Sequence, residues 1–329
     1  MSIVERAVEM AQSVDKAAEA KQPRELQPDN LPPGHEPLPH AAPPLQDSSP
    51  SFEDTPPMAH GTQPSVRVDI ARLRGLGRLP PEDHARNTHL EIRRIKWPLL
   101  SAIAGRDGTK PVRNNVILVT SALPGEGKSF TALNLALSIV RDRELRVVLV
   151  DADVARPGLT PALGLEADAG LNEVLEDRRR DIRSVIYQTD VEGLSVVPAG
   201  KWQDQASELL SSNRMLQIIQ DLIRYVGNGV IILDSPPLLA TNEAQVLSRH
   251  VGQVLLVVRA DDTEQRVVKD AIALIDDSAS ISAVLNQVRP SILGRYYGEY
   301  GHSYGYGAAY EDDGRGTQRR QKERGADDD

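Results

Sequence analysis

An α/β architecture, a mostly parallel sheet flanked by helices, follows from three features of the 329-residue sequence. Between Asn115 and Val288, short β-branched runs alternate with stretches of helical period. Several of these runs are apolar without alternation, the pattern of strands covered on both faces. The first run leads straight into a glycine-rich turn and two later ones end in aspartates, so polar chemistry collects where parallel strands end.

Taken in order, the chain opens with "MSIVERAVEMAQSVDKAAEA". This places Ile3, Val4, Ala7, Val8, Ala11 and Val14 near one face and predicts a short amphipathic helix over residues 1–20. Residues 21–64 are rich in proline and polar side chains and read as a disordered linker. His35, His40 and His60 fall inside it and read as solvated linker residues, since nothing there holds a metal geometry.

A folded domain is expected over residues 65–290. It begins with "VRVDIARLRGLGRLPPED" and "HLEIRRIKWPLLSAI", a helix-like stretch interrupted by Pro98. The charges of that stretch fit either a solvated face or a partner-contact helix, with Glu91 and Arg94 three residues apart on one side. Its basic "RRIK" segment lacks the long basic face of a membrane-surface anchor and suits partner or subunit contact better. Strands are expected at 116–120, 146–153, 194–200, 230–237, 251–260 and 281–288. Residues 291–329 read as a flexible tail, first tyrosine-rich and then charged.

Composition excludes several classes of function. There is no cysteine, so no disulfide framework and no thiol chemistry, which suits a reducing cytoplasm. The longest apolar runs, such as "VLLVV", are far short of the ~20 residues of a spanning helix. A net charge of -9 argues against nucleic acid as a partner.

The turn after the first strand reads "SALPGEGKSF". Glycine at 125 and 127 lets the backbone bring N–H groups against phosphate oxygens, and a helix starting near Lys128 aims its positive end at them. This is a P-loop pattern, with Ala122 at the usual first glycine, and it specifies the fold as P-loop NTPase-type. The expected nucleotide-binding residues are Pro124, Gly125, Glu126, Gly127, Lys128, Ser129 and Phe130, with ATP and Mg²⁺ as cofactors. Lys128 would neutralise β- and γ-phosphate charge, and Ser129 would ligate Mg²⁺. Asp151, Asp153 and Asp234 end later strands and should converge on the phosphates. Asp234 is expected to hold Mg²⁺ through water, and Asp151 or Asp153 to share the metal or act as base. Many ATP hydrolases place a glutamate directly after the second-strand aspartate; here Ser235, Pro236 and Pro237 follow Asp234, which disfavours rapid hydrolysis.

Six of the eight tyrosines, Tyr296, Tyr297, Tyr300, Tyr304, Tyr306 and Tyr310, lie in the tail among glycines that defeat both helical and strand periods. Such rings cannot be buried by a regular element. A phosphoryl-transfer site needs a nucleophile delivered in line, and a tyrosine hydroxyl held by an aspartate can be one, which makes the tail a candidate substrate.

"SALPGEGKS", "VVLVDADVARPGL", "VIILDSPPLLATNEA" and the tyrosine-rich tail together resemble the bacterial tyrosine autokinases of capsule and exopolysaccharide synthesis. "SIVERAVE" and "EIRRIKWPLL" are most similar to the exosortase-associated members. The resemblance covers roughly residues 66–310. It implies a cytoplasmic kinase that autophosphorylates between subunits of a homo-oligomeric ring, and that is activated by the cytoplasmic end of a membrane chain-length-determinant (polysaccharide co-polymerase) protein. That partner would hold it at the inner membrane. By motif it assigns Lys128 and Ser129 to the P-loop, Asp151 and Asp153 to the second motif and Asp234 to the third. Two positions depart from the family pattern: Ala155 precedes Arg156-Pro157 where two basic residues are usual, and Trp97 follows Glu91 and Arg94 where the ring-contact helix carries a second arginine. A partition or positioning ATPase shares the fold but usually carries a lysine early in the loop, where this chain has Leu123. A non-catalytic nucleotide-binding scaffold, with the tyrosines as contacts, is the third reading.

Overall fold

Uninterrupted β-branched runs form the centre of a single sheet, in which strand β2 (Val116–Ser121), β3 (Val147–Asp151), β6 (Val230–Asp234) and most of β7 (Gln253–Arg259) are buried. The computed structural model describes residues 64–104, 113–142, 145–165, 169–201, 206–210 and 212–288. The helix expected over 1–20, nearly all of the linker and the tail with its six tyrosines lie outside the described residues.

With β1 (Ser65–Val66), β4 (Tyr187–Thr189), β5 (Leu194–Val197) and β8 (Ser280–Asn286), the eight strands lie in the order β1-β4-β5-β3-β6-β2-β7-β8. From β5 to β8 every neighbouring pair is parallel; only the β4–β5 pair is antiparallel. All six expected strands are present. Five of them stop short of the expected bounds, at Asp151, Val197, Asp234, Arg259 and Asn286, because the chain leaves the sheet there into loops. The two unexpected strands, β1 and β4, are too short to carry a period in sequence.

Alternation along each strand sorts side chains into two cores. Ile117 and Val119 of β2 join Leu133, Leu135 and Ile139 of the helix Lys128–Val140 on one face, with Leu73 and Leu99 from the N-terminal helices. Val116 and Leu118 join Ile218, Ile219 and Leu222 of the helix Asn213–Val226 on the other. That second helix starts on Ser212, whose hydroxyl accepts from the N–H of Arg214, and it buries Met215, Ile218, Ile219, Leu222 and Val226 at helical spacing.

The helix Glu82–Ala104 runs unbroken through Pro98, against expectation. Proline inside a helix costs about 3 kcal/mol, so tertiary contacts must offset it. They lie on both sides of it. Ile92 and Leu99 are buried, and the Lys96 ammonium donates to the Ser138 carbonyl at 3.1 Å and to the Asp142 carboxylate at 2.7 Å. The Ser101 hydroxyl bonds back to the Trp97 carbonyl at 2.9 Å. The "RRIK" segment is therefore not basic on every face: Lys96 points inward, while Arg93, Arg94 and Trp97 are exposed.

Candidate active site

Strand β2 delivers the chain into the loop at the C-terminal end of the sheet, and Lys128 begins the helix that follows. Gly125 (φ 81°) and Gly127 (φ 98°) take left-handed backbone that other residues rarely adopt, and a β-carbon at 127 would collide with the Asn286 amide. Side chains from the ends of β7 and β8 hold the loop's carbonyls. Arg259 and Gln287 donate to the Gly125 carbonyl at 2.7 and 2.9 Å, and Asn286 donates to that of Glu126 at 2.8 Å. The first-turn N–H groups of the helix have no intrahelical partner by geometry and remain for an anion.

The Glu126 side chain turns inward and is 2% exposed. Its carboxyl accepts from Leu123 N–H at 2.7 Å, from Arg259 N–H at 3.1 Å and from the Thr263 hydroxyl, so it braces the loop against β7. Pro124 is exposed and stands off the cleft. Gly125, Gly127, Lys128, Ser129 and Phe130 line an open cleft of about 530 Å³ together with Arg78 and Arg156. Sequence reading missed Arg78. It stands in the loop after Gly77, fixed by the Asn134 amide, which donates to the carbonyls of Arg78 and Phe130 at 2.9 and 2.7 Å. Gly158 also approaches closely: a β-carbon there would lie 2.9 Å from the Ser129 hydroxyl oxygen.

The three aspartates converge beneath this loop. Asp151 and Asp234 are register partners at the ends of adjacent strands, and both are fully buried. One Asp151 oxygen accepts from the N–H groups of Leu159 and Thr160 (3.0 and 2.7 Å) and from the Thr160 hydroxyl (2.8 Å), which ties down the loop after β3. Its other oxygen has no hydrogen-bond partner, and neither has either oxygen of Asp234. Asp153 accepts from Arg156 N–H at 3.2 Å and stands 3.1 Å from the Lys128 ammonium.

Burial pushes the Asp234 carboxyl up to about 8, aided by the charge of Asp151; Lys128 opposes the rise, as does the nearby Ser129 hydroxyl, which stops short of full hydrogen-bond geometry. Burial raises Asp151 as well, against the pull of the Thr160 bonds. Two adjoining carboxyls that are costly to ionise alone suit a bound cation. No group of three or more His, Cys, Asp or Glu side chains with metal-holding geometry occurs among the described residues. Mg²⁺ does not require one, since it keeps several waters and takes one or two carboxylates alongside phosphate oxygens. Ser129, Asp234 and the unpartnered oxygen of Asp151 fit that donor set.

The parallel sheet, the loop and the acids beneath it define a P-loop nucleotide-binding protein. The ParA-type family described as NUBPL iron-transfer P-loop NTPase matches residues 112–286. The chain is 32% identical over 188 residues to the tyrosine-protein kinase YwqD of Bacillus subtilis, covering 56% of this chain and 77% of that one. It is 34% identical over 154 residues to the tyrosine-protein kinase ptk of Acinetobacter johnsonii, covering 47% of this chain and 20% of that one. Among solved structures, the kinase domain of the Escherichia coli tyrosine kinase ETK superposes with a TM-score of 0.54 at 28% identity, over 67% of this chain and 80% of that one. The chain belongs to the bacterial tyrosine-kinase family of P-loop proteins. Its match spans only about 20% of the length of the Acinetobacter relative. No helix among the described residues is long and apolar enough to cross a membrane.

Proposed function

We propose that this protein is an ATP-dependent tyrosine autokinase that phosphorylates its own C-terminal tyrosines between subunits and thereby regulates exopolysaccharide polymerisation or export. The observation that carries this reading is the buried acid cluster beneath Lys128, with no hydrolytic glutamate beside it. The residue after Asp234 is Ser235, buried and turned back onto the backbone, its hydroxyl donating to the Val119 carbonyl at 3.2 Å. Pro236 and Pro237 follow, also buried. Nothing at this position can activate water.

Lys128 and the N-terminal end of its helix neutralise the phosphates of ATP. Ser129, Asp234 and Asp151 hold Mg²⁺, whose chemistry when bound is to screen charge on the transferring group. Asp153, 3.1 Å from the Lys128 ammonium, takes the proton of the incoming tyrosine. In the step itself the tyrosine oxygen forms a bond to the γ-phosphorus, the bond from that phosphorus to ADP breaks, and the phenolic proton passes to Asp153. Arg78 and Arg156 add positive charge at the same cleft.

Exposed Glu91, Arg94 and Trp97 on one helix face are the proposed contact between copies in a ring. The cytoplasmic end of a membrane co-polymerase is the proposed activator and peripheral anchor. Incubation with labelled ATP and Mg²⁺ followed by phosphotyrosine mapping tests the assignment: label on Tyr296–Tyr310 is expected, and ATP turnover or binding without label would point to a positioning ATPase or a scaffold. Mixing an intact-tail Lys128→Met chain with an active chain whose tail tyrosines are phenylalanine tests transfer between subunits. Label on the Lys128→Met chain is expected, and its absence rejects that step.

A further inference from the structure

A second cleft, of about 340 Å³, lies on the face of the sheet that carries the helix Asn213–Val226, the face opposite the P-loop helix. Its basic lining is Arg178, Arg179, Arg180 and Arg183 from the segment after helix Leu171–Glu176, with Arg214 and Arg224 from the long helix. The acids in it are Asp181 and Asp221. Asp221 is taken by Arg224, and the Asp181 side chain accepts from the Arg183 backbone N–H. Arg214 holds the arrangement together: its guanidinium donates to the carbonyls of Val174 at 3.1 Å and Arg180 at 2.6 Å, pinning the arginine segment against the helix. Among the described residues, the guanidinium groups of Arg178, Arg179, Arg180 and Arg183 make no ion pair. Four like charges crowded at a fixed concavity repel one another unless an anion is shared among them.

The lining says which anion. Every basic side chain in the cleft is arginine and none is lysine. Arginine's planar fork binds phosphate oxygens through paired hydrogen bonds, whereas lysine acts as a point charge. A concave arginine cluster matches phosphorylated peptide better than a flat anionic membrane. The chain itself supplies a complementary segment. Tyr296–Asp313 carries Glu299, Glu311, Asp312 and Asp313 with no Lys or Arg. Each phosphotyrosine would add about -1.5 to -2 charges. Reach does not prevent contact within one chain or between two. The described chain ends at Val288, just past β8, and β4 lies six strand positions away, roughly 29 Å at about 4.8 Å per strand. The residues from Val288 to Tyr310 span more than about 70 Å when extended.

We propose that the arginine cleft is the docking site for the phosphorylated form of segment Tyr296–Asp313 of this chain, holding the modified tail away from the P-loop. The proposal rests on the reading that the tail tyrosines are phosphorylated, but its test does not. A synthetic Tyr296–Asp313 peptide phosphorylated at Tyr304, Tyr306 and Tyr310, and its unmodified counterpart, are titrated by fluorescence anisotropy into the phosphatase-treated full chain. The phosphopeptide is expected to bind at least about tenfold more tightly than the unmodified one. The triple variant Arg178→Gln, Arg179→Gln, Arg183→Gln is expected to lose roughly tenfold or more in phosphopeptide affinity. Its melting temperature should hold, since these exposed side chains anchor nothing in the fold. Unchanged phosphopeptide affinity in the variant overturns the proposal. So does an arginine-dependent co-sedimentation with phosphatidylserine vesicles that the phosphopeptide fails to compete. A kinase-dead chain would still bind the synthetic peptide, so failure here is distinct from failure of the kinase assignment.

Discussion

Among the acidic side chains buried at one end of the sheet, Glu126 under the P-loop and Asp234 at the end of β6 have opposite surroundings. Glu126 is surrounded by donors from Leu123, Arg259 and Thr263. Asp234 has none in hydrogen-bonding geometry, and its carboxyl is held far from its usual range by burial and by Asp151. A satisfied buried carboxyl contributes to the fold; an unsatisfied one costs stability and persists where a ligand completes it. On this comparison Glu126 is part of the frame, and Asp234 with Asp151 has the surroundings of the proposed reaction site.

Lys128→Met cuts deepest into the functional side. It removes the cation over the acid cluster and leaves the loop backbone in place, so autophosphorylation should fall by at least about a thousandfold. The melting temperature should change little, and phosphotyrosine mapping beside a thermal melt reads both. Normal labelling would dismantle the site assignment. Asp234→Asn comes next, with transfer expected to fall on the order of a hundredfold or more through loss of the metal contact. In EDTA the same variant should be at least as stable as the parent, because an amide costs less to bury than an unpaired carboxylate.

Glu126→Ala is the converse experiment. Removing an acceptor from three partly buried donors should cost about 3 kcal/mol in chemical denaturation, with any loss of activity following the loss of folded protein. If Glu126→Ala left stability untouched, or Asp234→Asn lowered it by a similar amount, the division between frame and reaction would fail. Asp153→Asn refines the functional side alone: transfer should drop more than nucleotide affinity, as measured by single-turnover labelling against nucleotide titration. Equal losses would make Asp153 chiefly a metal or phosphate residue.

The residues proposed for the reaction were far more legible in the sequence than the frame that holds them. "PGEGKS" and the strand-ending aspartates state their chemistry locally, because a P-loop is built from consecutive residues and parallel strands end at one edge. The side chains that brace it come from distant elements. Nothing near Glu126 in sequence announces Arg259, Thr263 or Asn286, which reach it only after β7 and β8 have taken their places. Arg78 was hidden for the same reason, and Phe130 was visible because it adjoins the motif. Pro98 misled in the other direction: its local rule is sound, but Lys96 and Leu99 anchor the helix on both sides of it. Strands β1 and β4 exist by pairing with neighbours at the sheet's edge, a tertiary condition that two or three residues cannot encode.

The smallest effect tests how far an unsatisfied polar group marks function. His250 is about half-buried, and its Nε2 has no hydrogen-bond partner. It precedes β7, so it lies at the end of the sheet opposite the P-loop. Burial is the main cause of its lowered pKa, and Arg113 and Arg249 lower it further. A folded-state value below the unfolded 6.5 means that the unfolded chain binds the proton more readily. The stability associated with neutral His250 is therefore fully present above that unfolded value and is lost as pH falls from there through the lower folded value. Because the ring is partly exposed, solvent screening limits the effect to a fall of about 2 °C in melting temperature between pH 7.5 and 5.5. His250→Gln should flatten that slope and leave autophosphorylation unchanged. A matching loss of kinase activity would mean that the far end of the sheet is coupled to the site, and an unmet polar atom would then mark function wherever it lies. Unchanged activity with a flattened slope would confine that inference to the strand ends beneath the loop, where Asp151 and Asp234 stand side by side.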